Sequence, residues 1–468
     1  MKLSFWGAAQ QVTGSMYLLE LNSGYKILID CGLDYEKDED TSFRDKNLYF
    51  PFEPADIDVV ILTHAHIDHS GNLPTLVRQG FTGNIICTPA TADLTQLLLN
   101  DSVNVQRNEL RKAKGKKKKK VSKNLLPLYT EKHVGETLEQ FLTVNFNRKF
   151  ELDNELTLTF REAGHILGAA SVELEINENG KTKRIGFTGD LGRDGSKLIK
   201  DAVPMQNLNY LVSESTYGGR HHKILTSAEE DLMQHITNTC IKVNGRLVIP
   251  AFSVGRTQSI LFTLHQLYQK GLLPDIKIFV DSPLAIKSTY VYHKYRDLLN
   301  DEAKAFDETY GDLFDFDLLH LVDDAQESEE LRYYHKPCII VSAAGMVEGG
   351  RIQQHVSDNI QNPYSTILIA GFCAPGTLGY RLLQGQPTIF IKGKEKQIFA
   401  TIASTDVFSA HPDNDGLVTY INNSLNNNLK SIFLVHGDEE AMQALKSKLS
   451  NITQTEIEIP LKGDIFLL

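Results

Sequence analysis

The strongest constraint on what this chain can become is His64-Ala65-His66-Ile67-Asp68-His69, which directly follows the apolar run Val59-Val60-Ile61-Leu62. A short β-branched apolar run reads as a buried strand. Three imidazoles and a carboxylate within six residues of its end are the donors of a divalent-metal site. Borderline-soft cations such as Zn²⁺ take imidazole nitrogen and carboxylate oxygen, and a catalytic site keeps one position open for water. Side chains two apart on an extended segment point the same way, so His64 and His66 can hold one ion. The turn that must follow lets Asp68 and His69 face a second ion.

The rest of the chain narrows the setting. A length of 468 residues suggests two or three domains. No run of about 18 apolar residues occurs, so no membrane span is expected. Met1–Trp6 meets Gln10-Gln11 too soon to serve as a secretory h-region. Cys31, Cys87, Cys240, Cys338 and Cys373 are scattered, which fits reduced thiols in the cytoplasm and argues against cysteine ligation of the metal. The net charge of −11 argues against a polyanionic partner, but it is unevenly spread. Residues 107–123 carry ten Lys/Arg against the single acid Glu109, a segment of +9 that leaves −20 for the remainder. Such a run is either a solvated loop or an arm that attracts phosphate by counterion release, with Lys116 and Lys118 among its candidate contacts.

Organisation changes along the chain. Residues 1–63 read as a strand meander (Lys2–Trp6, Tyr17–Asn22, Lys26–Asp30, Val59–Thr63) punctuated by glycines. A helix over Leu73–Gln79, a strand at Asn84–Cys87 and a helix over Thr91–Lys112 follow, then strands at Leu156–Arg161, Ser171–Asn177 and Arg184–Thr188. This composition suggests stacked sheets with helices outside. From about residue 217 the rhythm becomes alternating βα. Helices are expected over Ser227–Val243, Gln258–Lys270, Leu284–Tyr310 and Gly350–Asn359. Strands are expected at Arg246–Pro250, Lys277–Val280, Cys338–Val341 and Thr366–Ala370, which implies a parallel sheet with crossover helices. The last segment resumes the first style, with strands at Ile398–Ile402 and Ser431–Val435 and helices at Asp413–Ser424 and Glu439–Ser450. One domain inserted into another is the better architecture.

More ligand-type residues sit at expected strand ends: Asp30, His165 in Gly164-His165, Asp190 in Gly189-Asp190, Glu214 in Ser213-Glu214-Ser215-Thr216-Tyr217, His411 in Ser409-Ala410-His411 and His436 in Val435-His436-Gly437. Each alone reads as an ordinary turn residue. Together and in this order they resemble the metallo-β-lactamase fold, and more narrowly its β-CASP family of nucleases. His64–His69 stands as the family's H-x-H-x-D-H, Asp30, His165 and Asp190 match its other core motifs, and Glu214, His411 and His436 match its own three. Similar supporting segments occur at Ala9–Ser15, Pro250–Gln258, Ala344–Arg351 and Gly371–Gly379, so the resemblance spans essentially the whole chain. It departs at Ser342-Ala343-Ala344-Gly345-Met346, which has fewer serines than the family pattern, and at Pro412 after His411.

The resemblance implies an α/β chain: a metallo-β-lactamase αββα sandwich over 1–216 and 396–468, with a β-CASP domain inserted over 217–395. It implies one ion on His64, His66, His165 and Asp190, and a second on Asp68, His69, Asp190 and His436, with Asp190 bridging. Two Zn²⁺ are expected, with Mn²⁺ admissible at the oxygen-richer position. Asp68 orients the attacking hydroxide, His411 acts as general acid, Glu214 holds His411, and Asp30 buttresses a ligand histidine without binding metal. Ser253, Arg256, Arg351 and Arg381 are candidate contacts to RNA phosphates, with capping or packing equally open for each arginine. The implied function is hydrolysis of single-stranded RNA to a 5′-phosphate and 3′-hydroxyl in the cytoplasm, endonucleolytic in the first instance. A 5′→3′ exoribonuclease and a non-catalytic RNA-binding scaffold stay open as alternatives, as does a homodimer. A DNA nuclease or small-molecule hydrolase is disfavoured, because the corresponding branches lack His436 or the Glu214/His411 pair.

Overall fold

A computed structural model describes residues 1–36, 41–116, 126–178, 180–222 and 226–468. The chain divides into two compact units: Met1–Asp194 with Asp201–His221 and His411–Leu468, and Gly195–Lys200 with His222–Ala410.

The first unit holds two seven-stranded sheets. One runs in the order Ile465–Leu467, Lys2–Gly7, Met16–Glu20, Lys26–Ile29, Val59–Ile61, Asn84–Cys87, Phe141–Thr143. The other runs Glu456–Glu458, Ser431–Val435, Tyr210–Glu214, Lys181–Phe187, Ala170–Glu178, Leu156–Glu162, Lys149–Asp153. Side chains alternate across each strand, so both faces of the central strands are used. Ile27, Ile29, Val59 and Ile61 from one sheet share a core with Leu158, Val172, Phe187, Val212 and Phe433 from the other. The alternate residues Leu28, Val60 and Ile85 pack on Leu73 and Leu76 of the helix Leu73–Arg78. Leu211, Ile432 and Leu434 likewise pack on Leu417, Ile421, Met442 and Leu445 of the helices Asn414–Ser424 and Glu439–Leu449. The layering is therefore helix, sheet, sheet, helix.

Strand direction sets the site. Lys26–Ile29 runs parallel to Val59–Ile61. Lys181–Phe187, Tyr210–Glu214 and Ser431–Val435 run parallel to one another. Parallel neighbours deliver their C-terminal ends to one edge, which is where Glu214 ends its strand and Asp30, His64, Asp190 and His436 follow theirs.

The second unit is built on a six-stranded sheet ordered Leu319–Leu321, Lys277–Val280, Cys338–Ser342, Arg246–Pro250, Thr366–Ala370, Thr401–Thr405, with every pairing parallel. The strand expected over 398–402 is observed as Thr401–Thr405, where it pairs with Thr366–Ala370. The parallel sheet therefore continues to Thr405. The helix expected over Leu284–Tyr310 is broken into Pro283–Lys294, Arg296–Leu298 and Asp301–Tyr310. Asn300 causes the restart, because its side chain accepts from the Ala303 amide and caps a new helix. The expected Ser227–Val243 helix runs as Ala228–Ile236 and then widens into a π-turn over Thr237–Ile241. The helix expected at Thr91–Lys112 extends over Pro89–Lys116. No helix among the described residues is long and apolar enough to cross a membrane.

Candidate metal centre

The first unit gathers the donors into two groups. His64, His66, His165 and Asp190 form one, and Asp68, His69 and His436 the other, each with its ligand atoms within 4.8 Å of one another. In the first group His64 Nε2 lies 3.1 Å from His66 Nδ1, and His165 Nε2 lies 3.2 Å from the same atom. Asp190 Oδ2 is 3.5 Å from His64 Nε2 and 3.7 Å from His165 Nε2. Ligand bonds of about 2.0–2.1 Å in a tetrahedron place neighbouring donor atoms about 3.3 Å apart, so this spacing fits a single ion. The other oxygen, Asp190 Oδ1, is 3.1 Å from His69 Nε2 and 3.5 Å from His436 Nδ1. Asp68 Oδ2 is 3.5 Å from His436 Nε2. Asp190 thus turns one oxygen to each group. Asp190 Oδ1 and His436 Nε2 are buried and hydrogen-bond to nothing among the described residues. Buried polar atoms left this way point to a missing partner, which a cation supplies.

Neighbouring groups fix which nitrogen each imidazole offers. Asp30 Oδ2 lies 2.7 Å from His69 Nδ1, so that nitrogen carries the proton and Nε2 faces Asp190. Thr63 Oγ1 donates to Asp30 Oδ2 at 2.8 Å and therefore accepts from His64 Nδ1 at 3.1 Å, leaving His64 Nε2 as the lone pair. Thr216 Oγ1 donates to the His436 carbonyl at 3.2 Å and accepts from His436 Nδ1 at 3.0 Å. Sequence reasoning missed Thr63 and Thr216. The signal available for both was a hydroxyl residue beside a motif residue at a strand end.

Burial and charge set the protonation states. Burial, reinforced by the neighbouring imidazoles, holds His64 and His165 well below the usual histidine range. Burial brings His66 down to about 4. All three are neutral at pH 7, as ligands must be. Burial opposes ionisation of Asp190, but His436, His69 and His64 hold its carboxyl well below the usual range. Burial likewise opposes the charged form of His69, while the carboxylates of Asp190 and Asp30 favour it, and a cation at Nε2 would take the place of that second proton.

Beside these groups stands His411, whose Nδ1 lies 3.0 and 3.1 Å from the two oxygens of Glu214. Its Nε2 points at the donors, 3.9 Å from Asp190 Oδ2. Burial works against its charge, but Glu214, with Asp190 and Asp68 beyond, raises it to about 9. Glu214 is fixed in turn by the amides of Leu191 and Thr216. Tyr217 meets the His411 ring edge-on at 6.0 Å.

Ser253, Arg256, Arg351 and Arg381 belong to the second unit. Arg256 is buried, with its guanidinium 4.6 Å from the Phe252 ring centroid and Nε donating to the Phe408 carbonyl at 3.4 Å. Arg351 bonds the buried carboxylate of Asp281 at 2.7 Å and the carbonyls of Val322 and Asp323. That is the packing role left open for it in the sequence. Ser253 lies in the loop after Arg246–Pro250, and its carbonyl accepts from Gln258. Arg381 is exposed in the last turn of Leu378–Leu383. Lys118 and the side chain of Lys116 lie outside the described residues.

This combination of two facing sheets, a donor cluster at one sheet edge and a separate parallel βα unit defines a class of metallohydrolase, and comparison agrees. The model of the metallo-beta-lactamase superfamily matches residues 10–211, that of the Beta-Casp domain 257–382, and that of the Zn-dependent metallo-hydrolase RNA specificity domain 396–460. The chain is 30% identical to transcription termination factor FttA of Methanosarcina mazei, covering 95% of this chain and 68% of that one. It is 28% identical to Ribonuclease TTHA0252 of Thermus thermophilus, covering 99% of each. An RNase J-like protein of Methanocaldococcus jannaschii is 29% identical, again over 99% of each chain. A crystal structure of a protein of unknown function from Enterococcus faecalis shares the fold, with a TM-score of 0.56 at 12% identity over 100% of this chain and 99% of that one. The chain belongs to the metallo-β-lactamase superfamily, in its β-CASP ribonuclease family of hydrolases.

Proposed function

We propose that this protein hydrolyses phosphodiester bonds of single-stranded RNA through a two-metal site. The observation that carries the reading is Asp190, with one oxygen toward three neutral imidazoles and the other toward His69 and His436, set beside the His411–Glu214 pair. The likeness to Ribonuclease TTHA0252 over nearly all of both chains and the match to an RNA specificity domain support RNA as substrate.

His64, His66, His165 and Asp190 Oδ2 would hold one ion, and Asp68, His69, His436 and Asp190 Oδ1 the second. Zn²⁺ suits the nitrogen-rich group, and Mn²⁺ is admissible where two carboxylates contribute. Two such ions would polarise a phosphodiester and lower the pKa of a bound water. Asp68, part-buried, orients the attacking water and accepts its proton. His411, held at Nδ1 by Glu214, is placed to give a proton from Nε2 to the leaving 3′ oxygen, so the products are a 3′-hydroxyl and a 5′-phosphate. Glu214 keeps the other nitrogen of His411 protonated and the ring aimed. The five free cysteines are all buried, in keeping with a reducing cytoplasmic setting.

The test is incubation of the protein, with and without EDTA, on matched linear and circular single-stranded RNA and a DNA control. EDTA-sensitive cutting of the circle is the expected result and makes the enzyme an endoribonuclease. Cutting of linear RNA alone makes it an exonuclease. Binding of RNA with no cutting of any substrate overturns the catalytic reading in favour of a scaffold.

A further inference from the structure

The first unit exposes, beside its donor cluster, an aromatic ring that the chemistry above leaves unused. The loop after the strand Lys26–Ile29 is tied to the metal-binding turn by backbone bonds. Cys31 N donates to His69 O at 2.7 Å, Leu33 N to Ile67 O at 3.0 Å, and Ser15 N to Asp68 O at 2.8 Å. Tyr35 follows Leu33 by two residues, so its Cα lies within about 7 Å of that anchor. Its own amide donates to Thr13 Oγ1 at 3.1 Å. Asp34, between them, is clamped by the buried Asn47, which accepts from its amide at 2.7 Å and donates to its carbonyl at 3.0 Å.

Asn47 belongs to the helix Phe43–Leu48, and Phe43 of that helix stacks against Tyr35 with ring centroids 5.2 Å apart and an interplanar angle of 27°. One face of Tyr35 is thereby backed, and its orientation is set by packing. The residue still shows 50% of its surface to solvent. A ring held rigid by packing and half open to solvent is the equipment single-strand binders use, because every base has a π-face.

We propose that Tyr35, backed by Phe43, is a stacking platform for one base of the RNA strand lying across the metal centre. The inference rests on the ribonuclease reading and adds a subsite to it. Stacking is indifferent to base identity, so the platform holds the strand in place without selecting sequence.

The test pairs Tyr35→Ala and Tyr35→Phe with a set of RNAs, each lacking the base at one nucleotide near the cut. For the native protein, one abasic position raises KM about tenfold with kcat nearly unchanged, the scale of one lost stack. Tyr35→Ala raises KM by the same factor on intact RNA and shows no further penalty at that position, whereas Tyr35→Phe behaves as native. Equal KM for Tyr35→Ala and native protein, or full additivity of the two defects, overturns the platform while leaving the ribonuclease reading intact. Binding of the same RNAs by anisotropy, on a His411→Ala background with metal present, separates the two cases. Absence of any RNA binding there overturns both.

Discussion

Asp30 Oδ2 lies 2.7 Å from Nδ1 of His69, and the same oxygen accepts the Thr63 hydroxyl at 2.8 Å. A single buried carboxylate therefore orients one imidazole of the second donor group directly and, through Thr63, one imidazole of the first. Asp30 does this with a left-handed backbone, at φ +58°, a region that asparagine and aspartate tolerate better than most residues.

Asp30→Asn keeps that backbone but presents an amide to His69 Nδ1, which drives the ring toward the wrong tautomer. We expect metal affinity to fall about 10–100-fold, with activity recovered at high metal concentration. Competition against a chelator of known affinity measures it. Unchanged affinity would remove Asp30 from the support of the centre.

His411→Ala leaves every donor of both groups in place. Metal content stays native, and turnover falls about 10²–10⁴-fold, the usual contribution of a positioned general acid. Metal analysis alongside single-turnover rates checks both halves. Loss of metal from this variant would make His411 a ligand.

Gly32→Ala places a Cβ 1.6 Å from the Asp68 carbonyl oxygen and 2.8 Å from the His69 amide. Backbone cannot yield there without moving the turn that carries Asp68 and His69. A destabilisation of about 3 kcal/mol or more is expected, together with lost metal, read by denaturant unfolding and metal analysis.

In the second unit, burial opposes ionisation of Asp281, but hydrogen bonds from His355, Ser328 and Arg351 hold its carboxyl below the usual range. A carboxyl depressed on folding contributes stability above its unfolded value, near pH 4, and loses it as pH falls through the folded value. Asp281→Asn should cost about 3 kcal/mol at pH 7, because Arg351 and His355 lose their buried partner. The difference between native protein and variant should shrink below pH 4. Urea titrations at several pH values test this, and a constant difference contradicts it.

Deleting Lys114–Lys120 removes six lysines. RNA affinity should fall, and the slope of log affinity against log salt should flatten by up to about four. An unchanged slope removes that tract from the RNA contacts.

Four of the candidate donors, His64, His66, Asp68 and His69, were legible because metal chemistry allows few residue types and the turn after Val59–Ile61 packs them into six positions. The βα rhythm of the second unit was legible for a similar reason, since buried parallel strands are short apolar runs. What stayed hidden lay in contacts between distant segments. Arg351 sits in a glycine-rich stretch that suggested phosphate, and only the fold reveals Asp281 opposite it. The short edge strands Phe141–Thr143, Glu456–Glu458 and Ile465–Leu467 carry too few residues for any periodicity to show. Thr401–Thr405 alternates weakly, and its place in the parallel sheet follows from pairing with Thr366–Ala370.

His436 reaches the donor cluster on a strand that pairs with Tyr210–Glu214, and it bonds Thr216 across 220 residues of sequence. During synthesis from the N-terminus, every donor of the first group has left the ribosome once Asp190 is out. His436 follows about 250 residues later, roughly 10–50 s at usual elongation rates. A chain that has emerged only as far as Asp190 therefore holds six of the seven candidate donors but lacks His411 as well as the last donor, so RNA cutting is expected only after both have been made.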